Sequence, residues 1–180
     1  MFGNELKFLL DNLKQFDIEI NHVGSTAVKG LGGKGIIDIL IACDSIDLIN
    51  VSKVLEKLGY EYKPNASILN ERFFYFKVDK LNSIQQLYHI HLCNKNSAEV
   101  NRLVRFVSVL QKNKDLSKKY DKVKQLASKL AINSISKDDA QKVYNNSKVD
   151  VIIEVLEKSY IISFILIYQL THPINQIYKQ

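Results

Sequence analysis

Asn21-His22-Val23-Gly24-Ser25-Thr26-Ala27-Val28-Lys29-Gly30-Leu31, continued by Gly32-Gly33-Lys34-Gly35-Ile36-Ile37-Asp38-Ile39-Leu40-Ile41, is the stretch that decides how this chain folds. It holds five of the seven glycines. Glycines let backbone N–H groups turn inward around an anion. The second half is an aliphatic β-run broken by one carboxylate, Asp38, and a strand-borne Asp can hold a metal ion beside such a turn. Any chemistry on phosphates is expected here.

The pattern sharpens outward from this stretch. Ile18 to Val23 alternates as a strand that ends at Gly24-Ser25, and Ile36 to Cys43 is apolar almost throughout, as befits a central strand covered on both faces. Upstream, Glu5 to Phe16 reads as an amphipathic helix with Leu6, Leu9, Leu10, Leu13 and Phe16 on its stripe. Downstream, Asp44 and Ser45 offer capping for a helix from about Ile46 to Leu58, and Gly59 stops it. Tyr60 to Tyr62 is extended and Pro64 to Ser67 makes a loop; Arg72 to Val78 and Gln86 to Cys93 then form a hairpin.

Beyond Ser97 the period is helical: Ala98 to Gln111, Leu116 to Leu130, a short helix capped by Ser136, and another from Ser147. The class is α+β, or a layered α/β core with a helical cap. The mixed part covers about 1–95 and the helical part about 97–158, with an extension over 159–180.

At 180 residues and 46% hydrophobic content, a single globular core is expected. Lys+Arg 25 against Asp+Glu 19 gives +6, an excess that suits phosphorylated small molecules and equally suits a soluble surface. Cys43 and Cys93 lie in strand-like runs without a CxxC spacing and read as buried free thiols of a cytoplasmic protein; no signal peptide is visible. The Tyr160 to Leu170 run is too short for a spanning helix, so no membrane partner is expected.

His22-Val23-Gly24-Ser25-Thr26-Ala27-Val28-x-Gly30-Leu31, then Lys34-x-Ile36-Ile37-Asp38-Ile39, resembles the signature of the GrpB family, a nucleotidyltransferase-like group. Tyr88-His89-Ile90-His91-Leu92 resembles that family's His-x-His strand, and the likeness runs from about residue 5 to 158. It implies a small mixed β-sheet flanked by helices with a C-terminal helical segment. It also implies a nucleotidyl group moved from an NTP to an unknown acceptor through a divalent metal, Mg²⁺ or Mn²⁺, held by Asp38. The chain departs from the superfamily's Asp-x-Asp pair, because residue 40 is leucine. Two-ion nucleotidyl transfer uses several carboxylates.

The residues themselves add further candidates. His89 and His91 are two apart on a strand, so both imidazoles share a face, and beside the Asp38 strand the three could bind a transition metal. Gly24, Ser25 and Thr26 form the phosphate cradle, with Ser25 alternatively an N-cap. Lys34 and Arg72 are candidates to neutralise phosphate, while His22 orients the turn. Glu61, Glu71 and Asp79 are the further acids that could join Asp38. The lysine run over 112–124 reads as a solvated helix face rather than a nucleic-acid surface. Two functions follow: a nucleotidyltransferase, or a non-catalytic domain that binds a nucleotide or phosphorylated ligand or another protein.

Overall fold

The computed structural model describes residues 2–32, 35–69, 71–81, 84–132 and 136–158. Its helices are α1 (Phe2–Leu13), α2 (Leu48–Lys57), α3 (Ala98–Lys112), α4 (Lys114–Ile132), α5 (Lys137–Asn146) and α6 over 149–158. Its strands are β1 (Ile18–Val23), β2 (Ile36–Cys43), β3 (Glu61–Tyr62), β4 (Arg72–Leu81) and β5 (Ile84–Asn94). The chain divides into two compact units, Met1–Val107 and Ser108–Gln180, so the division falls inside α3 rather than before it.

The first unit is α+β. Its five-stranded sheet has the order β1-β2-β5-β4-β3. β1 and β2 are antiparallel, as are β4 with β5 and β3 with β4, whereas β2 and β5 run parallel. Alternate residues of a strand point to opposite faces. Ile37, Ile39 and Ile41 of β2 therefore join Tyr88, Ile90 and Leu92 of β5 in one core, closed by Leu9 and Leu13 of α1 and by Val51 and Leu55 of α2. Burial of each such aliphatic side chain stabilises the fold by about 1.5–3 kcal/mol. Asp38 and Leu40 face the other way.

Both β1 and β2 fill the ranges their patterns predict, and the β4–β5 hairpin runs further into its turn than expected, to Leu81 and Ile84. The helices differ more. α1 ends at Leu13, not Phe16, and its buried line is Glu5, Leu9 and Leu13, while Leu10 is exposed. A glutamate occupies the stripe because it has partners there: Tyr60 donates its hydroxyl to Glu5, and Lys77 Nζ lies 3.4 Å from the same oxygen. Lys77 is itself held over the rings of Tyr60 and Phe8 at 4.7 and 4.9 Å. α2 starts only at Leu48 behind Asp47, with no side-chain cap, and Ile46 is left exposed. It stops where expected, Gly59 taking φ 86°.

The second unit is helical. Ser136 accepts a hydrogen bond from the Asp139 N–H at 3.1 Å, the N-cap half of a capping box, and donates its own hydroxyl to the Asp139 carboxylate at 2.8 Å. Val151 and Val155 are buried in α6. The Tyr160 to Leu170 run and the extension as a whole lie outside the described residues. No helix among the described residues is long and apolar enough to cross a membrane.

Cys43 and Cys93 are free and fully buried, and burial pushes their thiols up to about 11 and about 12. The native protein is expected to leave both thiols unreacted with a bulky disulfide reagent at mildly alkaline pH and to yield both on unfolding in urea. Rapid modification of either in the native state would show that its strand end opens.

Candidate functional site

The parallel pairing of β2 with β5 sets Asp38 opposite His89 and Leu40 opposite His91. All four side chains share the face turned away from the α1–α2 core. His89 Nδ1 lies 3.1 Å from Asp38 Oδ1, and His91 Nε2 lies 3.7 Å from the same oxygen. An ionised carboxylate only accepts, so His89 presents Nδ1–H to it and His91 turns its Nε2–H the same way. Burial by itself would raise the Asp38 carboxyl, but the two histidines outweigh it and hold the group at about 2. Burial pushes His91 the opposite way, below its ordinary value, against the pull of Asp38. Phe74 packs edge-on against both imidazoles, with ring centroids 4.9 Å from His89 and 5.2 Å from His91.

Gly24 closes the site from the β1 side. Its φ is +68°, and a Cβ there would stand 2.9 Å from both Cβ and Cγ of Asp38 and closer still to Oδ2. The carboxylate therefore rests on bare backbone that no other residue can supply. The chain then makes one 3-10 turn, Ser25–Ala27, with Gly24 rather than Ser25 before it. Thr26 is committed to holding this turn in place. Its hydroxyl donates to the Ile36 carbonyl at 3.0 Å, which leaves it to accept from His22 Nε2 at 3.1 Å. His22 stacks on Phe2 with ring centroids 4.5 Å apart, and burial lowers its pKa. It orients the turn, as its position suggests. Ser25 forms no hydrogen bond from its hydroxyl to a described residue, so of the two hydroxyls at the turn only this one is open to a ligand.

Arg72 sits differently from the expectation of a phosphate-facing cation. Its Nη1 donates to Glu99 Oε1 at 2.6 Å and its Nη2 to the Ala66 carbonyl at 2.9 Å. Glu99 is buried on α3 and also takes two bonds of 2.6 Å from Arg102. Burial alone would raise Glu99, yet the two guanidiniums hold it below the ordinary carboxylate range. Lys34 lies outside the described residues.

The other acids do not reach Asp38: Glu61 pairs with Lys63 on the edge strand β3, and Asp79 pairs with Lys77 on the core face. Glu71 precedes β4 and is exposed. The lysine run also divides, because Lys119 binds Glu154 at 2.6 Å and Lys124 is buried beside the Tyr120 ring. The sequence reading missed Glu99, although Glu99-x-x-Arg102 at helical i,i+3 spacing was the available signal.

Asp38, His89 and His91 do come together, but among the described residues no group of three or more His, Cys, Asp and Glu side chains is arranged to hold a metal ion. Leu40, where a second acid would complete a two-ion site, is fully buried. In the described arrangement His89 is hydrogen-bonded to Asp38 and Leu40 brings no carboxylate for a second ion. Asp38, His89 and His91 form a hydrogen-bonded Asp–His pair with a second imidazole behind it.

A small mixed sheet with helices packed on one face, and a glycine-rich turn against a strand carboxylate on the other, defines the class: an α+β domain with one polar site at its β1–β2 turn. The family model described as GrpB protein matches residues 1–158, and the chain belongs to that family. The crystal structure of conserved protein GrpB from Enterococcus faecalis matches with a TM-score of 0.69 at 25% identity, over 88% of this chain and 92% of that one.

A UPF0157 protein of Halalkalibacterium halodurans is 32% identical over 69% of this chain and 62% of its own length. The glutamate-rich protein GrpB of Alkalihalophilus pseudofirmus is 27% identical over 88% of both. The chain thus spans under two thirds of the Halalkalibacterium protein. The Cid1 poly(U) polymerase also matches, at a TM-score of 0.39, too weak a likeness to carry an argument.

Replacing Gly24 by alanine forces a Cβ into Asp38 at a left-handed φ, and it is expected to cost about 1–3 kcal/mol in urea denaturation. A loss within measurement error would mean that the carboxylate moves aside freely. Acid stability gives a second check. Asp38 and Glu99 fall below their unfolded values of 3.8 and 4.5, so the folded state binds fewer protons than the unfolded chain. Their contributions are complete above pH 4.5 and fade as pH falls, that of Asp38 lasting to about 2. Asp38→Asn should flatten the lowest part of the Tm-against-pH curve, and an unchanged curve would contradict the assignment.

Proposed function

We propose that this chain is a nucleotidyltransferase-type domain that binds a nucleotide or another phosphorylated small molecule across the Gly24–Ser25 turn and Asp38. One observation carries the reading: an ionised carboxylate is pressed onto a glycine that cannot be enlarged, beside a serine hydroxyl without a partner among the described residues. Backbone N–H groups of a glycine turn and a free hydroxyl suit phosphate oxygens. An ionised Asp beside them repels phosphate unless a cation stands between. Mg²⁺ carried by the ligand's own phosphates needs only one or two protein carboxylates, because it keeps several of its waters. Asp38 would be that ligand, and the ion would neutralise phosphate charge there.

Transfer of the nucleotidyl group is the narrower reading, and Leu40 weighs against it. A second ion to stabilise the departing pyrophosphate finds an aliphatic side chain where its carboxylate should stand. Binding without turnover is therefore favoured.

Thermal shifts with each of four NTPs, with and without Mg²⁺ or Mn²⁺, test this on wild type, Asp38→Asn and Ser25→Ala. A metal-dependent rise in Tm for at least one NTP is expected for wild type, abolished in D38N and reduced several-fold in apparent affinity in S25A. No shift with any nucleotide in wild type, or an equal shift in D38N, would sink the proposal. Pyrophosphate release in the same mixtures separates transfer from binding.

A further inference from the structure

Among the described residues, two buried side-chain atoms on the site face lack a hydrogen-bond partner: Arg72 Nε and His91 Nδ1. Their chemistry is complementary. Guanidinium Nε–H can only donate, and with Nε2–H of His91 turned toward Asp38, Nδ1 can only accept. Their positions are close as well. Phe74 pairs with His91 and Arg72 with Cys93 across β4 and β5, so Arg72 is the diagonal neighbour of His91 on the same face. The Phe74 ring borders both, its centroid 5.2 Å from the His91 ring and 5.9 Å from Arg72 Cζ, and so screens them from bulk solvent. Arg72 cannot swing away, since Glu99 and the Ala66 carbonyl hold its other two nitrogens.

We propose that one buried water joins Arg72 Nε to His91 Nδ1 and makes Arg72, anchored by Glu99, a positioning residue for Asp38. The water accepts from Nε–H and donates to Nδ1, which relieves two orphaned groups at once. The bond at Nδ1 fixes the His91 tautomer, and that tautomer is what directs a proton at the carboxylate. A line of polar contacts then runs from Glu99 on α3 through Arg72, the water and His91 to Asp38, the last of them 3.7 Å long. The charge of Arg72 also disfavours protonation of His91, in keeping with a neutral ring.

The test is nitrogen-15 NMR of the histidine rings in the full chain at neutral pH, together with a high-resolution crystal structure of the wild type. Expected are the Nε2–H tautomer at His91, an Nδ1 resonance shifted as for a hydrogen-bonded acceptor, and a water within bonding distance of both atoms. Arg72→Met and Arg72→Lys should each move the Nδ1 resonance or flip the tautomer, the lysine showing that charge alone does not suffice. Arg102→Met, which removes only the other partner of Glu99, should leave His91 unchanged. An Nδ1–H tautomer in wild type, no water at that place, or an Nδ1 signal indifferent to both Arg72 variants would overturn the proposal. If the Arg72 variants do not fold, the two wild-type measurements decide it.

Discussion

An ionised carboxylate in the middle of an aliphatic strand is expensive unless its surroundings are arranged for it, and the layout around Asp38 follows from that requirement. On the neighbouring parallel strand one imidazole hydrogen-bonds to an oxygen and a second stands 3.7 Å from it, and a residue without a side chain makes room for the other oxygen. Each demand reaches further out. The glycine needs a turn held still, which Thr26 and His22 provide through the Ile36 carbonyl and the Phe2 ring. The imidazoles need Phe74 beside them and, behind it, the Arg72–Glu99–Arg102 cluster on β4 and α3. The site thus draws on β1, β2, β4, β5 and the start of α3, and a change at any of them reaches the carboxylate within a few bonds.

The two faces of the sheet divide the labour. The α1–α2 face is an apolar core that also takes in Glu5, which Tyr60 and Lys77 satisfy. The opposite face carries Asp38, His89 and His91. Leu40 sits two residues from Asp38 on the same face, fully buried, where a second acid would be costly without a cation beside it. With leucine there, Asp38 is the one acid of that stretch of β2, and the imidazoles opposite it stand in for a cation.

Much of this was legible in the residues. The alternation of Ile18 to Val23 and the unbroken apolar run of Ile36 to Cys43 fix their own limits, because a strand's burial pattern is written locally. The pairing of His89 and His91 on one face followed from their spacing, though which strand they would meet did not. The helices were harder. Counting apolar residues placed Leu10 on a buried stripe and overlooked Glu5 and Glu99, since a buried glutamate is explained only by cations and hydroxyls far away in sequence. The partners of Arg72 were hidden for the same reason. An arginine near a suspected phosphate site looks available until the glutamate that occupies it is found 27 residues downstream.

The parallel seam between β2 and β5 has a consequence for how the chain acquires its site. Two residues separate β4 from β5 and twelve separate β1 from β2, so each pair is built from contacts closer in sequence than the seam between them. Asp38 and His89 are 51 residues apart and meet only when those two pairs dock. The site therefore rests on a contact between strands far apart in sequence, and the imidazole-bound carboxylate reports that β2 and β5 are joined.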